Sequence, residues 1–384
     1  MDQVRLAVVG LGNIGTLHLG NIEKQPKINL TAVCDLVHEK ADAAAAKFGC
    51  KAYYDSDTML SEGVCDAVIV GTPHYDHTTI GVAALNSGHH VLVEKPISVH
   101  KADAAKLIAA HKANPDRVFA AMFNQRTDPF YQKIKSMVDA GELGQIQRIN
   151  WIITTWFRTQ TYYDSGGWRA TWAGEGGGVL LNQCPHNLDL LQWICGMPSM
   201  VRGFGAIGKH HKIEVEDEMT AYMEYPNGAT GLFVTTTGEA PGTNRFEIAG
   251  ENGKLVYENN LITLTRNEVS SIEFLKTSPE SFAKPKSRVE TFGFGDHGGQ
   301  HAEVLENFCD AIMTGAELIA PAEEGIRSVE LGNAMAYSSL IDAPVQLPLD
   351  GAAYEAKLKE LIAGSSFVKQ EVVQTETDMS KSFN

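Results

Sequence analysis

Val4-Arg5-Leu6-Ala7-Val8-Val9-Gly10-Leu11-Gly12-Asn13-Ile14-Gly15 opens the chain, and Asn29-Leu30-Thr31-Ala32-Val33-Cys34-Asp35 follows after a helix-like stretch that runs to about Lys24. The first run reads as a buried strand leading straight into a glycine turn. Strand, G-x-G-x-x-G turn, helix, second strand and an acid 20 residues after Gly15 form the pattern that binds a dinucleotide. Gly10 permits the tight turn, Gly12 lets the backbone approach a pyrophosphate, and Gly15 lets the helix pack close to the strand. Asn13 and Ile14 stand in the first helical turn, whose free N–H groups attract phosphate. Asp35, at the end of the second strand, suits the adenosine ribose hydroxyls and repels a 2′-phosphate. Leu36 and Val37 offer that phosphate no partner, so NAD is favoured over NADP. The competing reading of Asp35 is a solvated residue capping the next helix.

Working outward, residues 1–123 alternate strand and helix signals. Near-continuous apolar runs at Cys65–Val70, Val91–Val93 and Val118–Met122 indicate a parallel sheet covered on both faces. The pattern then changes. Tyr131–Ala140 reads as a helix, Gln147–Phe157 as a long strand, and Val179–Ile194 as apolar at helical spacing. Strand candidates with turn signals between them fill Met200–Thr265, and two helices follow at about Gln300–Thr314 and Ala322–Ile341. The expected fold class is α/β: a Rossmann domain over 1–123, then an α+β domain over 124–350 with a large, open, mostly antiparallel sheet. A helix and tail fill 351–384, of which 365–384 read as an arm or disordered tail. A broad sheet left uncovered on one face suggests a homo-oligomer, a dimer or tetramer.

The 384 residues suit two domains, and 43% apolar content is that of an ordinary globular protein. A net charge of −15 argues against nucleic acid or an anionic membrane as partner. No run of about 18 apolar residues suggests a membrane span, and a strand beginning at residue 4 leaves no room for a signal peptide. Six cysteines, at 34, 50, 65, 184, 195 and 309, form no C-x-x-C pair. These features point to a reduced, cytoplasmic protein.

Two clusters carry candidate chemistry. Glu94-Lys95-Pro96 leaves the strand Val91–Val93 at its carboxyl end, where open α/β sheets bind ligands. Lys95 there can donate to a substrate hydroxyl; by spacing alone it reads equally as a surface lysine before a turn. The second cluster runs from Gly176-Gly177-Gly178 through Asn182 and His186 to Asp189. The last three share one face if the segment is helical, with Asp189 able to orient the imidazole. A histidine on an apolar helix is also a common packing residue. His74 and His77 do not complete a metal site with any carboxylate or cysteine spacing, so no metal is expected. His297 and His301 read either as helix caps or as pocket residues. Tyr162 and Trp172 offer aromatic faces suited to sugar C–H surfaces, or simply pack.

Taken in order over residues 4–345, these motifs resemble the Gfo/Idh/MocA family, which includes glucose-fructose oxidoreductase and inositol dehydrogenase. They are the glycine turn, Asp35, Thr72-Pro73, Glu94-Lys95-Pro96, Asn124-Gln125-Arg126, Gly144, Trp168-Arg169 and the glycine-rich segment with His186. The resemblance implies NAD-dependent hydride transfer at a ring carbon of a sugar, glycoside or cyclitol, with Lys95 on the reacting oxygen and His186 as acid/base. It implies that Thr72, Pro73, His77, Glu94 and Asn124 line the nicotinamide side, and that Trp168 and Arg169 approach the cofactor from the second domain. Arg126, Tyr162, Trp172, Asn182 and Asp189 are expected on the substrate side. Many family members carry Asp four residues before the histidine, where this chain has Asn182. That departure predicts a lower-titrating imidazole and leaves two roles open: Asn182 on substrate hydroxyls, or Asp189 orienting His186. Within this reading, glycoside oxidation to a 3-keto sugar and inositol 2-dehydrogenation are both compatible. The aromatic surroundings of Trp156, Tyr162 and Trp172 lean toward a glycoside. The alternative of another class is a non-catalytic sensor of NAD or sugar, against which the joint presence of Lys95 and His186 argues.

Overall fold

The computed structural model describes residues 2–369. Its first sheet grows from alternating units. Strand β1 (Val4–Val9) and helix α1 (Asn13–Ile22) lead to β2 (Ile28–Cys34), α2 (His38–Phe48), β3 (Lys51–Tyr53) and α3 (Ser56–Ser61). Then come β4 (Ala67–Val70), α4 (His74–Asn86), β5 (His90–Val93), α5 (Lys101–Ala113) and β6 (Phe119–Ala121). The strands are all parallel, in the order β3-β2-β1-β4-β5-β6. Chain direction across the sheet reverses between β1 and β4, so the crevice at their carboxyl ends is the switch point where such sheets bind ligands. Continuous apolar runs such as Ala67-Val68-Ile69-Val70 are wholly buried because helices cover both faces.

The second half begins with α6 (Pro129–Asp139), whose amphipathic face is capped by Asp128 accepting from the Phe130 N–H. Strand β7 (Ile146–Ile153), helix α7 (Gln160–Asp164) and helix α8 (Pro185–Cys195) follow. Strands β8 (Met200–Ile207), β9 (Glu216–Glu224), β10 (Thr230–Thr236), β11 (Asn244–Gly250), β12 (Gly253–Glu258) and β13 (Leu261–Asn267) come next. Helix α9 (Ser271–Thr277), β14 (Ser287–Phe292), α10 (Gln300–Thr314), α11 (Gly325–Leu340), β15 (Val345–Gln346) and α12 (Gly351–Gly364) complete the described chain. The nine strands pair as β14-β13-β12-β11-β7-β10-β9-β8-β15, antiparallel except for the parallel β7–β10 pair. Alternation along β7 turns Ile149, Trp151 and Ile153 into a core shared with α6, α8 and α11, while Ile152 lies on the other, open face.

Two expectations need correction. The second domain is not one continuous 124–350 segment. Helix α10 returns to the first sheet and packs Val304, Leu305 and Phe308 against Val4, Leu6 and Val8. Ala320, Ala322 and Val329 join the core on the opposite face. The Rossmann sheet is therefore sealed by chain from beyond the second sheet, a long-range packing that local periodicity does not encode. The arm expected at 365–384 is also partly engaged. The Ser365 hydroxyl donates to Glu214, and Lys369 Nζ donates to the carbonyl of Arg169 at 2.8 Å. Residues 370–384 lie outside the described residues. Among the described residues no helix is long and apolar enough to cross a membrane.

Candidate active site

The glycine turn closes as its sequence demands. Gly10 has φ +89°, and a Cβ there would lie 2.6 Å from the Gly71 carbonyl oxygen; a Cβ on Gly15 would lie 1.9 Å from the Gly10 carbonyl oxygen. At Gly12, which caps α1 without a side chain, nothing stands within 4 Å of the Cβ position. Asn13 and Ile14 open the helix there, and the free N–H groups of a helix N-terminus suit a phosphate. The Asp35 carboxylate accepts from the N–H of Leu11 (2.7 Å) and of Val37 (2.8 Å). It thus pins the glycine turn to the end of β2, with further lone pairs left on both oxygens. On the other side of the switch point, Thr72 Oγ1 and Asn124 Oδ1 are buried with no hydrogen-bond partner. Buried polar atoms are normally paired, so these two are suited to a polar ligand. Pro73 caps α4, and Asn124 Nδ2 donates to Gln300 Oε1 at 2.6 Å. The residues present therefore fit a dinucleotide.

Lys95 leaves β5 as expected. Its ammonium donates to the backbone carbonyl of Asn182 at 3.0 Å, bridging the two sheets' elements. Burial pushes Lys95 down from its ordinary value; Glu94 and Glu175 oppose this, and Arg169 and Arg158 add to it. Glu94 beside it is buried and lies 2.7 Å from His18 Nε2 on α1. Burial works to raise the Glu94 carboxyl, but the His18 hydrogen bond and the nearby positive groups win and hold it down at about 2. His301 stacks edge-on to His18 at 6.1 Å, so it belongs to this cluster under Lys95. His297 instead pairs with Asp128 at 2.7 Å. His77 is held through both ring nitrogens, against the Pro96 and Thr72 carbonyls at 2.7 and 2.8 Å, and so joins the loops that leave β4 and β5. His74 sits against the Glu175 carbonyl and the Trp168 ring.

His186 lies in the first turn of α8, and its ring meets Phe123 edge-on at 6.4 Å. Burial, with Lys95 and His301 adding to it, holds the imidazole well below its ordinary value. It is therefore neutral at neutral pH. Its Nδ1 has no hydrogen-bond partner among the described residues.

The geometry corrects four expectations around it. Asn182, His186 and Asp189 do not share a helix, because α8 starts at Pro185, which lacks an N–H and suits the first helical position. Asn182 sits in the turns before it, where the Glu216 carboxylate takes the N–H groups of Gly178 and Leu180 at 2.9 and 3.2 Å. Asp189 does not orient His186. It forms a bidentate pair with Arg126, 2.7 Å at both nitrogens, and both are almost fully buried. Burial pulls the Arg126 guanidinium down, and Asp189 and Glu324 more than reverse this, so the ion stays charged. Arg126 and Asp189 thus serve each other and the α6–α8–α11 junction rather than substrate. Trp172 is packed among Val99, Tyr163 and Leu181, with its carbonyl on the Tyr75 hydroxyl, and offers no free wall.

Tyr162 links Arg169, Gln183 and Asn182. Its hydroxyl accepts from Arg169 (2.9 Å) and Gln183 (3.2 Å) and donates to Asn182 Oδ1 (3.2 Å). The Arg169 guanidinium lies over both the Tyr162 and Trp168 rings, at 4.7 and 4.6 Å. Glu175, which stands directly before the glycine run, went unnoticed in the sequence because an acid ahead of glycines reads as a turn residue. It is buried and bonded to Asn182 Nδ2 and the Ala170 N–H.

Comparison with known proteins agrees with this architecture. Residues 4–122 match the oxidoreductase family with NAD-binding Rossmann fold, and residues 131–256 match the GFO/IDH/MocA C-terminal domain. The chain is 33% identical over 145 residues to Inositol 2-dehydrogenase of Salmonella typhimurium, an alignment covering 37% of this chain and 43% of that protein. It is 26% identical over 91% of its length to scyllo-inositol 2-dehydrogenase (NAD(+)) of Bacillus subtilis, covering 98% of that protein. Among solved structures, the WlbA dehydrogenase of Chromobacterium violaceum, in complex with NADH and UDP-GlcNAcA, superposes with a TM-score of 0.79 at 28% identity, covering 91% of this chain and 97% of that one. Levoglucosan dehydrogenase shares the fold at 19% identity and a TM-score of 0.75. With both family domains matched in order on a Rossmann sheet and an open mixed sheet, the chain belongs to the Gfo/Idh/MocA family of NAD-binding oxidoreductases.

Proposed function

We propose that this protein is an NAD-dependent dehydrogenase acting on a ring hydroxyl of a sugar, glycoside or cyclitol. The observation that carries the reading is that Lys95 Nζ donates to the carbonyl of Asn182, four residues before His186, and that the Lys95 charge is one of those acting on the His186 imidazole. NAD, when bound, supplies the hydride acceptor. This chain aligns the alcohol and manages its proton. His186, neutral and buried, takes the hydroxyl proton. The Lys95 ammonium donates to the reacting oxygen and stabilises the charge that develops there. Tyr162, Arg169 and Asn182 support the opposite side of the ring. Curated relatives named as inositol dehydrogenases favour a cyclitol; with Trp172 packed away, the aromatic lean toward a glycoside rests on Trp156 and Tyr162 alone. The open face of the large sheet, with Ile152, Leu232 and Phe204 exposed on it, supports assembly with further copies of the chain. A 340 nm assay with NAD⁺ and inositols, free sugars and aryl glycosides tests the activity. Turnover of one class identifies the substrate, and intact NAD binding without turnover of any favours a sensor.

A further inference from the structure

Glu175 is a carboxylate almost without solvent exposure, in the turns before the glycine run, with Arg169 and Lys369 among the positive charges that act on it. Such burial is costly unless hydrogen bonds and nearby charge compensate it. One oxygen accepts the Ala170 N–H at 2.5 Å, where Ala170 adopts φ +58°, a left-handed conformation that costs a non-glycine residue energy. The other oxygen accepts from Asn182 Nδ2. Asn182 in turn accepts Lys95 Nζ on its backbone carbonyl and the Tyr162 hydroxyl on Oδ1. One buried acid thus holds the residue that holds Lys95.

We propose that Glu175 is a positioning residue of the reaction, fixing the Asn182 amide and keeping Lys95 protonated. The proposal rests on the role given to Lys95 under the dehydrogenase reading. With Nδ2 committed to Glu175, Asn182 offers substrate only acceptor character at Oδ1. The chain places its acid at 175 and an amide at 182, the reverse of the arrangement with Asp four residues before the histidine. The charged and titratable groups around Lys95 are Glu94, Arg158, Arg169, His74, His186 and His301. Glu94 is the other acid, already engaged by His18. Burial pushes the Glu175 carboxyl up, and Arg169 together with the N–H groups that Asn182 and Ala170 give to its two oxygens opposes this and favours the ionised form. Around Glu175 itself stand Arg169, Lys369 and Glu216.

The test reads the Lys95 titration directly, by competitive acetylation with trace acetic anhydride across pH and mass spectrometry of the Lys95 peptide. No substrate is needed, so the result stands apart from the success or failure of the sugar assay. In E175Q the Lys95 midpoint is expected to fall by about 1 unit, the low end of the effect of removing one nearby opposite charge. E175A, which leaves no amide facing Asn182, gives the same reading if E175Q does not fold. In E175Q/N182D the carboxylate is moved across the hydrogen bond, and the midpoint is expected to return to the wild-type value. Once a substrate is identified, the alkaline limb of kcat moves with the Lys95 midpoint in each variant. A Lys95 midpoint unchanged in folded E175Q and E175A, or a double variant no closer to wild type than E175Q, overturns the proposal. Turnover by the wild type together with unmoved midpoints would leave the dehydrogenase reading in place and remove Glu175 from it.

Discussion

Lys95 Nζ and the Asn182 carbonyl, 87 residues apart, meet at 3.0 Å. The bond joins the carboxyl end of a Rossmann strand to the turn in front of the His186 helix, so the two residues proposed as proton donor and proton acceptor are held in one frame. The anchor on Asn182 is backbone, and its amide serves Glu175 and Tyr162 instead. N182A should therefore keep NAD affinity and the Lys95 contact while lowering kcat about tenfold through a loosened substrate side. A variant crystal structure with Lys95 withdrawn from residue 182 would contradict this division.

The pH profile follows from the two groups. His186 must be neutral to accept a proton, and burial with neighbouring positive charge holds it well below its ordinary value. kcat/KM should rise with pH along an acid limb centred below 6.5 and be level at neutrality. Lys95 must be charged to donate, and burial holds it below 10.5, so an alkaline limb should appear below that value. Initial rates across a buffer series check both limbs. An acid limb at or above 6.5 in kcat/KM would exclude His186, as described, from the base role.

Two glycines of the turn should separate stability from binding. A methyl at Gly15 collides with the Gly10 carbonyl oxygen, so G15A should lower the melting temperature, with overpacking costing about 1–3 kcal/mol or more. A methyl at Gly12 meets nothing within 4 Å. G12A should melt as the wild type does yet bind NAD about tenfold more weakly, a loss of about 1.4 kcal/mol. Thermal melts and NAD titrations of the two variants decide it.

Asp189 is assigned to structure by its bidentate pair with Arg126. Removing one partner of a buried pair costs about 3–5 kcal/mol because the other charge is left uncompensated. D189N should lose that much stability in denaturant melts while the acid limb of kcat/KM stays where it is. A moved acid limb with little loss of stability would return Asp189 to the neighbourhood of His186.

Legibility in the sequence tracked how local each cause was. β1, the glycine turn, α1, β2 and Asp35 are visible because their periodicities and steric demands lie within 35 residues. Lys95 at the end of β5 was readable for the same reason. The helical face expected for Asn182, His186 and Asp189 failed at Pro185, whose preference for the first helical position outweighed the apolar spacing ahead of it. The partners of Asp189 and Glu175 could not be read locally. Arg126 lies 63 residues from Asp189, and Glu175 acts through an amide in a turn that only folding brings to Lys95. The packing of α10 on β1 is of the same kind, a contact made across the whole second sheet.

The central claim is that Lys95 supports hydride transfer from a polyhydroxylated ring to bound NAD, and the most direct measurement compares wild type and K95M. NAD binding is titrated first, and then absorbance at 340 nm is followed with the inositol, sugar and aryl glycoside panel. The account predicts turnover by the wild type with one class, and in K95M an unchanged NAD affinity with kcat lowered about 10²–10⁴-fold. K95M turning over the same substrate at the wild-type rate would contradict it.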